Sequence, residues 1–520
     1  MFRRIAVRIT TLVAAMAAGV AALPAGAANA APPKAGVVRF VGAPGTTFAV
    51  GGQRYIDTIE FRLGPGGMTT INELSMDAYV EGLAEMPASW HMEALKAQAV
   101  AARTYAWFSI ELGTFRHLGY DICVTVDCQV FHGRATVSSR YGERWRQAVA
   151  ETSNEVLTWE GEPILARFFS SSGGHTRDNE DVYGYGKITD GPKPYLKGVP
   201  DPDDRISPHH HWSFGLRVAE MNRVLSRGAT LEEVVPIRFI RHIPGDGKPD
   251  GNRIDQIRFR GKNGKVVEMS ASKFRAWFSE VGPRVLPHRF PIRAANGSPL
   301  PDGLPTSRLD FRFDQKRGYI VVHGYGWGHG VGMSQWGARG KAERGMGYAD
   351  ILAAYYNGLR PERTPDLPSR VRVGLGTSNG PVRIRANGHY RVEIGDQAAP
   401  GPGGTFTLRP AKGGIDIAGP RLVDFRPAPP KPVQQAAAPE AQERPTPPAA
   451  AGARTETPRE NVSPEQHRSD GATTEATSEE GSVVDAVVRA TLVFLPYGVR
   501  TALELLLPDL ISSGPSPAPG

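Results

Sequence analysis

Residues Tyr79 to Ala106 read YVEGLAEMPASWHMEALKAQAVAARTYA. Pro87 cannot sit inside a helix, and Ser89 just after it suits an N-cap, so a helix is predicted to start here. Glu93 then falls in the first turn, where the helix dipole favours an acid. Leu95, Ala99, Ala102 and Ala106 recur at helical spacing. That stripe is small and Ala-rich, so the helix can approach its neighbour closely, and Gly113 is its natural stop. A Glu-Met-Pro step, Glu85 to Pro87, therefore lies on the lead-in to a helix built to be buried.

Outward from this stretch the chain reads as α+β, a β-rich body with a few helices. Val37 to Val41 and Thr58 to Leu63 alternate as short strands, separated by turns such as Gly51-Gly52 and Gly64-Pro65-Gly66-Gly67. A second helix is predicted around Arg140 to Leu157, and a hairpin about Gly161 within Thr158 to Phe169. Ile237 to Ile243, Ile254 to Arg258, Val266 to Met269 and Tyr319 to His323 read as strands. Ser272 to Val281 and Tyr348 to Tyr356 read as short helices, the latter ending near Asn357-Gly358. Val371 to about Leu422 returns to short strands.

The two ends differ from this body. Arg3, Arg4 and Arg8, the uncharged apolar run Ile9 to Leu23, and Ala28-Asn29-Ala30 have the order of an export signal cleaved after Ala30, the alternative being an uncleaved N-terminal anchor, for which the run is short. Its loss lowers the formal charge from +8 to +5. A mildly basic chain suits an anionic surface such as a cell wall, and it lacks the dense Lys/Arg stripe of a nucleic-acid binder. From Arg426 to about Gly481 the chain is Pro, Ala, Glu, Thr and Ser, which cannot bury enough surface to offset chain entropy. Val483 to Ile511 is apolar again, interrupted by Asp485, Arg489, Arg500 and Glu504. It reads either as an amphipathic helix contacting a membrane surface or as a helix against the body.

Tyr79 to Ala106 resembles the signature of the SpoIID/LytB family, and three further blocks fit in order. They are FFSSSGGHTRDNEDVYG at Phe168 to Gly184, YLKGVPDPDD at Tyr195 to Asp204, and GHGVGMSQWGARGKA at Gly328 to Ala342. The resemblance spans about residues 36 to 360. The chain thus divides into an export signal at 1–30, the SpoIID/LytB-like domain that the resemblance implies at 31–365, and a C-terminal β-rich extension at 366–425. A Pro/Ala/Glu-rich disordered linker at 426–481 and an apolar segment at 482–520 would follow.

The resemblance also implies an activity. Family members are lytic transglycosylases that cut MurNAc–GlcNAc bonds of peptide-stripped glycan strands. Glu85 is implied as the catalytic acid. It would protonate the glycosidic oxygen and then accept a proton from the sugar's own C6 hydroxyl, giving a 1,6-anhydro product. Water need not attack, so no second carboxylate is required, unlike most glycoside hydrolases. Apolar Leu83 and Met86 flank Glu85, a setting that disfavours the charged form.

Arg103 is implied beside Glu85 in catalysis, holding substrate or steadying charge in the oxocarbenium-like state; a structural ion pair is the plainer reading. Gln98 is a candidate substrate contact on the same helix. Ser171, Ser172 and Gly173 lie in a Ser/Gly run without the spacing of a nucleophile elbow, and a sugar-contacting loop or simple turn chemistry both explain it. Tyr183 and Tyr185 offer rings for stacking on sugar or for packing. His329 and Gln335 lie in a glycine-dense loop without the lysine or strand–loop–helix context of a phosphate cradle; the resemblance implies that they line the cleft, and a satisfied buried histidine is the alternative for His329.

Cys123 and Cys128 leave two states open, a disulfide or, with His117, part of a structural zinc site. Asp127 stands where other members carry a His before the second Cys, which weakens the zinc set. No other cofactor is implied, and the His209-His210-His211 run does not define a metal site by itself. Expected partners are peptidoglycan glycan strands and a cell-wall amidase, at a secreted or wall-associated location. One branch of the family is named for enhancing an N-acetylmuramoyl-L-alanine amidase, so a non-catalytic glycan-binding enhancer is the competing function.

Overall fold

The computed structural model describes residues 35–429, apart from 185–186, 227–240, 244–252, 261–265, 302 and 315. The expected export signal, all of the linker after Pro429, the apolar C-terminal segment and Tyr185 lie outside the described residues. Chain contacts divide the protein into two units. One is built from the segments up to Leu83, Gly113–Thr136 and Arg370–Lys431; the other from Ala84–Leu112 and Val137–Ser369. The class is α+β and β-rich, as expected.

The first unit holds an eight-stranded sheet. Its order is Arg426–Pro427, Gln397–Pro400, Tyr390–Ile394, Val37–Gly42, Thr58–Gly64, Gly67–Ser75, Arg370–Ser378 and Ile122–Cys123. All neighbours run antiparallel except the last pair. A five-stranded antiparallel sheet of Gly414–Ala418, Thr405–Ala411, Val382–Asn387, Thr47–Val50 and Gln53–Ile56 shares its core. Phe40 of the larger sheet meets Phe48 and Phe406 of the smaller edge-on, at 6.5 and 5.4 Å between centroids. Alternation puts Phe40 inside and Arg39 outside. Arg39 pairs with Glu60, Glu73 and Glu393 across three strands, and Arg372 continues the ladder to Glu60 and Glu73. The strands read as a C-terminal extension thus pair with the first strands of the chain and complete their sheet. Arg426–Pro427, placed in the linker by composition, is that sheet's edge.

In the second unit the Ala-rich helix is Met92–Leu112. Leu95, Ala99, Ala102 and Ala106 are fully buried, as the stripe requires. The cap differs from expectation: the helix starts three residues after Ser89, and the ring nitrogen Nδ1 of His91 accepts from the Glu93 amide at 3.3 Å. Gly113 follows with φ of +62°. Helices Gly142–Glu151, Gln335–Glu343 and Tyr348–Tyr355 pack around it. Asn357 and Gly358 take positive φ just past the last, where the stop was predicted.

A second core in this unit gathers Trp212, Phe214, Phe259, Phe274, Phe278 and Phe311. It lies under the three-stranded sheet Trp212–Arg217, Tyr319–Gly324, Leu309–Asp314 and the helix Ala271–Val285. Of the strands expected between 237 and 269, the stretch 237–240 lies outside the described residues; the described strands are Arg241–Ile243, Arg253–Arg260 and Val266–Ser270, in one antiparallel sheet.

Candidate active site

Glu85 sits on the loop between the short helix Met76–Glu81 and the Ala-rich helix. Its neighbours Leu83 and Met86 are buried, while Glu85 itself is half-exposed. The loop is held at two places within its unit. Gln335 Nε2 donates to the Glu85 carbonyl at 3.0 Å and to Gln98 Oε1 at 3.2 Å. Arg144 donates to the carbonyls of Ala88 and Trp90, at 3.3 and 2.8 Å. Gln98 and Gln335 are both buried. Gln335 fixes the main chain that carries Glu85, and Gln98 Oε1 holds the Gln335 amide.

The Ser/Gly loop serves another purpose than expected. Asp201, Asp203 and Asp204 of the YLKGVPDPDD block are buried, and they gather the unit's polar groups. Asp204 accepts from Ser171 Oγ at 2.8 Å, the Ser172 amide at 3.0 Å, the Gly173 amide at 2.9 Å and Ser334 Oγ at 3.0 Å. His210 Nδ1 lies 3.0 Å from the same carboxylate. Asp201 takes Ser172 Oγ at 2.8 Å, Lys341 Nζ at 2.6 Å and Tyr355 Oη at 2.7 Å. Asp203 pairs with Lys341 and Arg344. Ser171, Ser172 and Gly173 are therefore buried scaffold rather than sugar contacts. Burial and Asp201 push the Tyr355 phenol well above its ordinary range.

Glycine makes this hub possible. A Cβ at Gly337 would overlap Asp201 and Tyr355 Oη, and one at Gly340 would overlap the Asp203 backbone. Both lie on the helix that Ser334 caps, its Oγ accepting from the Gly337 amide at 3.1 Å. The same serine binds Asp204, so the hub sets the start of the helix whose first residue, Gln335, holds the Glu85 loop.

Arg103 corrects a second expectation. It is fully buried, and its guanidinium donates to the carbonyls of Thr152 at 2.8 Å, Glu155 at 3.1 Å and Val149 at 3.2 Å. It closes the C-terminal end of helix Gly142–Glu151, where carbonyls lack helical donors and the dipole favours a cation. The role is structural. Arg103→Met is expected to cost about 3 kcal/mol or more, from orphaned buried carbonyls. Lysine, a point donor, should not span three acceptors and should rescue little. Urea unfolding measures the loss; turnover per folded molecule should stay near the parent's.

Tyr183 and His329 come together, their rings 5.9 Å apart, with Phe169 also 5.3 Å from His329. The Arg167 guanidinium lies 3.7 Å over the Tyr183 ring. The Val331 amide donates to His329 Nδ1 at 3.1 Å, so that nitrogen is an acceptor. Burial, and then the nearby cations Arg167, Arg275 and Arg177, push the imidazole down to about 3, against a hydrogen bond with the Phe168 backbone. His329 is neutral at neutral pH and is no proton donor there. Its folded value is below its unfolded one, so its contribution is complete above about pH 6.5 and shrinks as pH falls towards 3. The melting temperature should drop between pH 6.5 and 5, and His329→Gln should flatten that slope.

In the first unit Cys123 and Cys128 form a disulfide. Neither sulfur is then a thiolate, so these residues with His117, on the 3-10 turn Arg116–Leu118, do not fit a zinc ion. Asp127 engages the Thr125 hydroxyl at 3.3 Å. Among the described residues no group of three His, Cys, Asp or Glu could hold a metal, and no helix is long and apolar enough to cross a membrane. His211 stacks on His323 at 5.5 Å, and Trp212 enters the second core.

Sequence reasoning passes over Trp90, Trp336 and Arg339 as site residues. Trp90 lies on the Glu85 loop and Trp336 follows Gln335, with ring centroids 4.6 Å apart. One signal does point to them: each of the two blocks that meet through Gln335 holds one tryptophan.

Residues 65–159 match the family model described as stage II sporulation protein. An uncharacterized protein of Brachyspira hyodysenteriae is 32% identical over 318 residues, 60% of this chain and 73% of that protein. Stage II sporulation protein D of Bacillus subtilis is 29% identical over 305 residues, 56% of this chain and 75% of its own length. The amidase enhancer of the same organism is 28% identical over 300 residues, 53% of this chain and 38% of the enhancer. With four sequence blocks in order, and the Brachyspira protein and stage II sporulation protein D matched over about three quarters of their own lengths, the chain belongs to the SpoIID/LytB family.

Proposed function

We propose that this protein remodels peptidoglycan outside the cytoplasm, as a lytic transglycosylase with Glu85 as acid and then base. The observation that carries this reading is a half-exposed glutamate on a loop clamped by Gln335 and Arg144, while Asp201, Asp203 and Asp204 are buried and already paired within the fold. A group that must give and take a proton needs access to substrate, and the aspartates have none. Glu85 protonates the glycosidic oxygen as the bond to the MurNAc anomeric carbon breaks. The C6 hydroxyl oxygen closes on that carbon, and its proton returns to Glu85. The sugar supplies the nucleophile, so acid and base are one residue and no water is consumed.

The test is incubation of the purified chain with amidase-stripped glycan strands and mass analysis of the products. Anhydro-ended fragments support the reading. Glycan bound but uncut drops it in favour of the second reading, an enhancer of a cell-wall amidase, which similarity to the amidase enhancer favours. That reading is checked by adding an amidase and measuring its stimulation.

A further inference from the structure

Trp90 and Trp336 are half-exposed, with planes at 56° and centroids 4.6 Å apart. The guanidinium carbon of Arg339 lies 5.2 Å from the Trp90 ring centre and 5.1 Å from that of Trp336. Its Nε is held by Glu343 Oε1 at 2.6 Å, and the side chain keeps 30% of its exposure. The two indoles are tied by main chain to the catalytic loop. Trp90 gives its carbonyl to the Arg144 clamp, and Trp336 follows the glutamine that holds the Glu85 carbonyl. The Trp336 amide is fixed in turn to the Ser170 carbonyl at 2.9 Å.

We propose that Trp90, Trp336 and Arg339 form a saccharide subsite that stacks a pyranose ring and recognises the free lactyl carboxylate of a muramic acid residue. The inference rests on the glycan-strand reading above. An aromatic face carries negative potential and receives the C–H face of a sugar, and indole offers the largest such face. Two tilted indoles with a cation at their edge offer stacking area and charge together. A planar guanidinium binds a carboxylate through paired N–H donors, and with Nε engaged Arg339 presents its two Nη groups. While a peptide stem is attached, the lactyl group is an amide with no charge. Once an amidase removes the stem it is a carboxylate, so this site distinguishes stripped strands from unstripped ones.

The experiment uses the full chain carrying Glu85→Gln, so that sugar binds without being cut. It is titrated calorimetrically with a peptide-free GlcNAc–MurNAc tetrasaccharide and with chitotetraose, which has the same length and no lactyl groups. Adding Trp90→Ala or Trp336→Ala should weaken both sugars about tenfold, the size of a lost aromatic contact, and Phe at either position should restore most of it. Arg339→Gln should weaken the muramyl sugar about tenfold and leave chitotetraose within about twofold. Parent-like binding in both alanine variants, with parent-like melting, overturns the stacking site. If alanine prevents folding, Trp90→Leu and Trp336→Leu decide, since leucine fills apolar space without an aromatic face: a loss of about tenfold for both sugars supports the site, and parent-like affinity overturns it. Equal weakening of both sugars by Arg339→Gln overturns carboxylate recognition. The enzyme reading is scored separately with Glu85 intact. Trp-dependent binding without anhydro products removes that reading and leaves the subsite, whereas products undiminished by all three changes remove the subsite and leave the enzyme.

Discussion

Glu85→Gln is expected to lower the yield of anhydro-ended glycan by about a thousandfold, within the range that positioned acid–base groups contribute. The amide keeps the size of the side chain and cannot give a proton to the glycosidic oxygen or take one from the C6 hydroxyl. Both half-steps fail together, because one residue serves both. Binding should change little. The loop is held through its main-chain carbonyl, by Gln335 Nε2 at 3.0 Å, and the substitution leaves that carbonyl in place. Loss of turnover with retained affinity and unchanged melting is thus the expected pattern, read by mass analysis beside calorimetry. Equal loss of binding would mean that Glu85 is a contact and not the acid.

Asp204→Ala is expected to remove most of the second unit's stability. One fully buried carboxylate satisfies two serine hydroxyls and two backbone amides and faces His210. Each orphaned buried donor costs about 1–3 kcal/mol. Four of them reach about 4 kcal/mol at the low end, close to the whole margin of an ordinary domain at about 5–15 kcal/mol. Asp204→Asn should fall between, since one oxygen remains while the new amide faces donors. Denaturant unfolding followed by tryptophan fluorescence measures this. Where the variant still folds, turnover should also drop, because Ser334 hangs on Asp204 and sets the helix that presents Gln335.

The Ala-rich helix is legible in the sequence because small residues at helical spacing form a close-packing stripe and little else, and its ending at Gly113 follows from backbone freedom alone. Its start is not legible. Ser89 is the better cap by residue type, but Arg144 claims the carbonyls of that turn and leaves His91 to cap. The Ser/Gly run and Arg103 read as chemistry because hydroxyls, amides and a guanidinium in a motif look alike whether they face substrate or a buried partner. What decides is which carboxylate or carbonyl comes to meet them. Asp204 lies 33 positions from Ser171, and the Thr152 carbonyl 49 from Arg103. Neither distance is written in local pattern. Glu85 keeps its place as candidate acid for the converse reason: its loop is fastened through main-chain carbonyls, and the residue stays half-exposed.

The sheet of the first unit carries a consequence for how the chain is made. Arg370 and Glu73 are hydrogen-bonded across adjacent strands although 297 positions separate them. During synthesis Gly67–Ser75 emerges long before the strand that covers its outer edge. That edge stays open, a row of backbone donors and acceptors able to template pairing with another copy. Closing so distant a contact is slow, since loop entropy is lost before the contact is gained. A nascent chain halted before Arg370 is consequently expected to aggregate more readily than the full chain, and the pairing of Arg370–Ser378 with Gly67–Ser75 is what closes that edge.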